Sequence, residues 1–245
     1  MNKINIELPV PVLKYPHWRV NIRPAEYNNH LIPTLNECIN VIEKTKVSLR
    51  GWNYPHLSHR REEQAFGGNW IASWSDFMGH NEYWRFYQSG QFVHLFSVRE
   101  ATEPGWRKEI EETMRSHMRD REWSEVPGFI SILNFIYTTT EIFEFAARLC
   151  ETGIYAGIIN ISITLKDIRG FVLSAGWDRS RHEYYAADEE SLKNSWPIKS
   201  DALVAESIDY SRSAIIWFFE RFGWLSPPIE VIRRDQENLL KKLIY

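Results

Sequence analysis

Two stretches of the chain alternate apolar and polar residues with the two-residue period of a strand. From Tyr83 to Val98, aromatic and β-branched residues flank Gln88-Ser89-Gly90-Gln91, which predicts a tight hairpin with Gly90 supplying a positive φ. A Ser89-Gly90 loop would set Tyr87 opposite Phe92, Arg85 opposite His94 and Tyr83 opposite Phe96, leaving Trp84, Phe86, Val93 and Leu95 on the other face. Further on, Ile159, Ile161, Ile163 and Leu165 alternate with Asn160, Ser162 and Thr164. This run turns at Asp167–Gly170 into Phe171-Val172-Leu173, a second predicted hairpin over 157–173.

Other stretches carry the helical period. Leu35, Cys38, Ile39 and Ile42 predict a helix over 31–46 with Pro33 in its first turn, and Leu133, Ile136, Thr140, Phe143 and Ala146 predict a long helix over 129–150, stopped by Gly153. Two helices follow at 200–222 and 227–243, the second capped by Ser226 with Pro227 at its first position. Its stripe of Ile229, Ile232, Leu239 and Leu243 is expected to pack on the chain's own core. Residues 4–13 and 17–23 read as extended edge strands because of Pro9, Pro11, Pro16 and Pro24. Residues 51–68 read as a long loop, and the mixed charges of 105–123 as a solvated helix within a charged insertion spanning 103–126. Together these elements predict an α+β fold, an antiparallel sheet packed against several helices, in a single domain over 1–245.

Composition narrows the function classes. A hydrophobic fraction of 44% with 25% charged residues fits a globular chain rather than a disordered one. Cys38 and Cys150 fall in different predicted helices, which excludes a disulfide framework and a cysteine-rich zinc site and suits a reducing, cytoplasmic compartment. The first residues lack the pattern of a secretory leader, and no stretch is long and apolar enough to predict a membrane span. Net charge is −3, with +2 over residues 1–100 and −5 over the remainder, a mild asymmetry that names no partner.

The candidate chemistry lies in two acid-free stretches. Residues 44–61 hold Arg50, Trp52, His56, His59, Arg60 and Arg61, a mixture suited to phosphate-bearing ligands, since cations neutralise phosphates while rings stack on bases. Residues 8–25 repeat the mixture with Lys14, Tyr15, His17, Trp18, Arg19 and Arg23. Beside the Arg85 and His94 face of the first hairpin, these would form a cationic aromatic platform of the kind that binds single strands. The expected function is therefore a non-catalytic recognition or sensor module for a phosphate-bearing ligand or single-stranded nucleic acid, with Arg50, Trp52, His56, His59, Arg60, Arg61, Arg85 and His94 as ligand-binding residues. The 11 Trp and 11 Tyr also admit a protein partner or a homo-oligomer.

An enzyme is the alternative, a metal-dependent hydrolase drawing on His56, His59, Asp76, His80 or Glu82. Its spacing matches no His-Glu-x-x-His helix. Neither a Gly-x-Ser-x-Gly elbow nor a phosphate-binding glycine loop occurs, so no catalytic residue, metal or cofactor is predicted. Asp178, His182 and Glu183 form a further acid/base candidate in a polar loop.

Overall fold

A computed structural model describes residues 10–77, 79–102, 104–117, 125–175 and 184–242. In chain order the elements are β1 (His17–Pro24), α1 (Leu35–Thr45), β2 (Val47–Ser48), β3 (Asn53–Tyr54), β4 (Gln64–Phe66), β5 (Trp70–Phe77), β6 (His80–Tyr87), β7 (Phe92–Ser97), α2 (Arg99–Thr102), α3 (Pro104–His117), β8 (Phe129–Ser131), α4 (Ile132–Glu151), β9 (Ile158–Lys166), β10 (Val172–Ser174), β11 (Ser191–Lys199), α5 (Ser200–Arg221) and α6 (Ile229–Leu240). The fold is α+β. Seven strands form an antiparallel sheet in the order β11-β9-β1-β7-β6-β5-β4, and α4 and α5 lie against one face.

Strand alternation decides which residues meet the helices. Trp18, Val20 and Ile22 of β1, Trp84 and Phe86 of β6, Phe92 and Phe96 of β7, and the odd-numbered apolar residues of β9 all point inward and are buried. From α4, Phe135 packs on Trp18 and Phe145 on Phe92, each with ring centroids 4.8 Å apart, while Phe218 and Phe219 of α5 close on Phe135 from above. On the outer face, the segment at Val10 and Val12 packs against Ala72 and Tyr83, the only such cover among the described residues.

The first hairpin forms with a different register. Phe86 pairs with Phe92, Arg85 with Val93 and Trp84 with His94. Gly90 has the expected positive φ of 78°, yet its N–H bonds Tyr87 O at 2.9 Å and Tyr87 N bonds Gln91 O at 2.9 Å. Gly90 and Gln91 together stand opposite Tyr87, a turn followed by a glycine bulge rather than a two-residue loop. That extra residue moves the pairing by one, and a one-residue slip sends alternate side chains to opposite faces.

Other elements also depart from expectation. β9 forms over 158–166 and turns at Gly170, but its partners are β1 and β11; β10 leaves to pair in parallel with β8. The 157–173 stretch thus supplies one long strand of the sheet and a short one outside it. β1 is interior rather than an edge, because Pro16 and Pro24 stand at its ends, where a missing N–H breaks little of the ladder. Residues 11–14 form a 3-10 turn. The 51–68 stretch contains β3 and β4 rather than an uninterrupted loop. Thr34 caps α1 in a capping box with Glu37, placing Pro33 outside the helix, and Pro228, not Ser226, stands at the α6 N-cap. In α6, Ile232 and Leu239 are buried and Ile229 is exposed, whereas Leu243 lies outside the described residues. In the charged 103–126 stretch, α3 buries Met114 against Val126, Phe129 and Val172. No helix is long and apolar enough to cross a membrane among the described residues.

Candidate functional site

Between the inner face of the sheet and the first half of α4 lies a cavity of about 550 Å³, a volume typical of small-molecule sites. β1, β6 and β7 furnish its floor with Trp18, Glu82, His94 and Phe96, and α4 its roof with Phe135, Thr138 and Glu141. The 50–54 segment, the β5–β6 turn and α2 with the start of α3 complete the rim through Arg50, Trp52, Tyr54, Phe77, His80, Arg99 and Trp106.

Glu82 occupies an inward position of β6, in phase with Trp84 and Phe86, and is 1% exposed. Its Oε2 lies 3.0 Å from His94 Nε2 and 3.5 Å from His80 Nε2, while Trp52 Nε1 donates to its Oε1 at 3.4 Å. Burial alone would raise the Glu82 carboxyl; the charges and hydrogen bonds of His80 and His94 outweigh it and hold the group at about 2. Burial pulls the His94 imidazole below its ordinary value against the pull of Glu82. Near neutral pH the pair is thus an ionised carboxylate accepting Nε2–H from a neutral imidazole, and His94 Nδ1 carries a lone pair with no partner among the described residues.

A second pair lies on the α4 side. Arg50 donates from Nη2 and Nε to Glu141 Oε2 at 2.5 and 3.1 Å, and from Nη2 to Thr138 Oγ1 at 3.2 Å. Glu141 Oε1 has no partner among the described residues. Burial raises the Glu141 carboxyl, with Arg50 opposing. Tyr54 is raised by burial and by the nearby charges of Glu141 and Glu82, and its hydroxyl too lacks a partner among these residues. Deeper along α4, Glu100 accepts from Ser131 N at 3.0 Å and Asn134 Nδ2 at 2.9 Å; burial raises this carboxyl as well. At the rim, the Arg99 guanidinium lies 4.6 Å over the Trp106 ring, and its charge acts on the buried Glu100 carboxyl.

Of the residues expected from sequence, Arg50, Trp52 and His94 meet in this cavity. His56 stands behind Trp52, stacked at 4.2 Å, and its carbonyl accepts from Trp84 Nε1 at 2.6 Å; burial lowers its imidazole. His59, Arg60 and Arg61 are exposed outside it, Arg60 pairing with Glu63 at 3.4 Å. Arg85 lies on the outer face, stacked 4.0 Å from Trp70 and bonded to Tyr83 and Tyr87, because the bulge at Gly90 puts it out of phase with His94. The hairpin face imagined to unite Arg85 and His94 therefore does not exist.

Sequence reasoning gave no role to Glu141, Glu100, Tyr54, Arg99 or Trp106. Glu141 left one trace, a carboxylate that, with Glu144, interrupts the apolar run of the predicted helix. Of the hydrolase candidates, His80 and Glu82 reach the cavity, while Asp76 and His59 are exposed elsewhere. No group of three or more His, Cys, Asp or Glu is arranged to hold a metal among the described residues. Cys38 and Cys150 are buried and burial raises their thiols to about 11 and about 12, which makes them poor nucleophiles. Asp178, His182 and Glu183 lie outside the described residues. No protein-family model, curated protein or solved structure matches the chain.

Proposed function

We propose that the chain is a recognition module for a small ring-bearing ligand with a phosphate group, a molecule of the nucleoside phosphate class, held in the cavity under α4. The observation that carries this reading is that three residues lining one cavity, Tyr54, His94 and Glu141, each hold a buried polar atom without a hydrogen-bond partner among the described residues. Each such atom costs about 1–3 kcal/mol when left unpaired, so three together describe a site whose bonds are completed by something that enters it. Glu141 Oε1 and His94 Nδ1 call for donors, such as the amino and imino edge of a heteroaromatic ring. Trp18, Trp52 and Phe135 offer apolar walls for the ring itself. Three carboxylates disfavour a phosphate in the interior; Arg99 at the rim suits it.

Recognition is preferred to turnover because Glu82 and His94 face each other and both cysteines are buried. The test is a thermal-shift and calorimetric panel of AMP, GMP, UMP and CMP with their nucleosides. A ligand at a hundredfold its Kd adds about 2.7 kcal/mol, or about 5–10 °C in Tm for a chain of this size. Trp52→Ala should abolish the shift, and Arg99→Ala should reduce the preference for phosphate over nucleoside. If no compound shifts Tm at millimolar concentration, the reading fails; if one is recovered chemically altered, the chain is an enzyme instead.

A further inference from the structure

The outer face of the seven-stranded sheet segregates charge in a way the overall acidity of the chain conceals. Outward strand positions carry Arg19 and Arg23 on β1, Arg85 on β6, Lys166 on β9, and Lys193 and Lys199 on β11. None of the six makes an ion pair with a carboxylate among the described residues, and Asp76, at the far end of β5, is the one acid at an outward strand position. Apart from the short segment at Val10 and Val12, no described element packs on this face.

Register orders the face into two halves. One cross-strand row runs Lys193, Thr164, Arg19, Leu95, Tyr83, Trp74, and the next runs Ser195, Ser162, Asn21, Val93, Arg85, Ala72. Cations and small polar residues occupy β11, β9 and β1, whereas the rings stand on β6 and β5 around Arg85, with Trp74 and Tyr87 half-buried. Lys193 and Arg19, two strands apart, are separated by about 10 Å, and Arg19 and Arg23 by about 13 Å along β1. Unpaired cations spaced over a sheet, flanked by rings at the same level, form a platform on which a backbone can lie along the charges while its bases reach the rings.

We propose that this outer face binds single-stranded nucleic acid, independently of the cavity on the opposite side of the sheet. The phosphates lie over Arg19, Arg23, Lys166 and Lys193, and the bases turn toward Trp74 and Tyr87. The experiment is fluorescence anisotropy of labelled oligo(dT) and oligo(U) 12-mers against the full chain. Four phosphate contacts predict about 50-fold weaker binding at 200 mM than at 50 mM salt. The variant Arg19→Ala/Arg23→Ala/Lys193→Ala, with an unchanged circular dichroism melt, should lower the slope of log K against log salt by about 2. Trp52→Ala, in the cavity, should bind the oligonucleotides as wild type does. No binding at 50 mM salt, undiminished binding by the triple variant, loss of binding in Trp52→Ala, or equal binding of a 12-base-pair duplex would each overturn the proposal.

Discussion

Replacing Arg50 by Met isolates what the buried Glu141 carboxylate demands of its surroundings. Arg50 supplies both hydrogen bonds to Glu141 Oε2, and Oε1 has none, so the variant leaves a carboxyl of 3% exposure with no partner on either oxygen. Its folded-state pKa, already raised by burial, rises further. A group raised in the folded state leaves stability intact below the unfolded carboxyl value and removes it as pH climbs toward the folded one. Each pH unit over which the unfolded chain is ionised and the folded one is not costs about 1.4 kcal/mol. Breaking a buried ion pair costs about 3–5 kcal/mol; because Arg50 is 26% exposed and partly screened, the lower end applies. Urea denaturation should thus show a loss below about 1 kcal/mol at pH 5, growing to about 3 kcal/mol by pH 8. Adding Glu141→Gln should remove the pH dependence. A loss independent of pH, or below about 1 kcal/mol at pH 7, would show that Glu141 reaches water, and the account of the cavity's buried charges would fall.

Other expectations bear on the same framework. Glu82→Gln should be less stable than wild type at pH 7 by up to about 3 kcal/mol, with the gap closing as pH falls from about 5 toward 2, since a depressed carboxyl loses its contribution on that limb; a constant gap across an acid titration would contradict it. In Gly90→Ala a methyl group at φ 78° would meet Leu31 and Tyr155 at 2.9 Å, which should lower Tm by about 5–10 °C; an unchanged melt would mean the bulge relaxes freely. Cys38 and Cys150 should resist a thiol reagent until the chain unfolds, and labelling at native rates in buffer would contradict their burial.

Much of the fold was legible because it rests on local period. The apolar stripe and Gly153 marked α4, and the Ile159 to Leu165 alternation marked β9. Register was not legible. Gly90 announced a turn, but whether that turn adds a residue depends on packing against Leu31 and Tyr155, both remote in sequence. The cavity was less legible still, because β1 is inserted between β9 and β7, and an order that skips across the chain leaves no periodic mark. Arg50 and Glu141 stand 91 positions apart and meet only through that order. Trp52 and His94 were recognisable by residue type alone, and the same reasoning gathered His59, Arg60 and Arg61, which local composition cannot separate from residues that turn inward.

The two borders of the sheet govern how the chain meets its surroundings. β4 offers three residues, too few to template another strand, and β11 interrupts its free backbone with Pro197 and flanks it with Lys193 and Lys199. An extended peptide approaching either border finds few unmet amide groups, and at β11 it also finds positive charge. Lateral growth of the sheet from chain to chain is thereby discouraged at both ends.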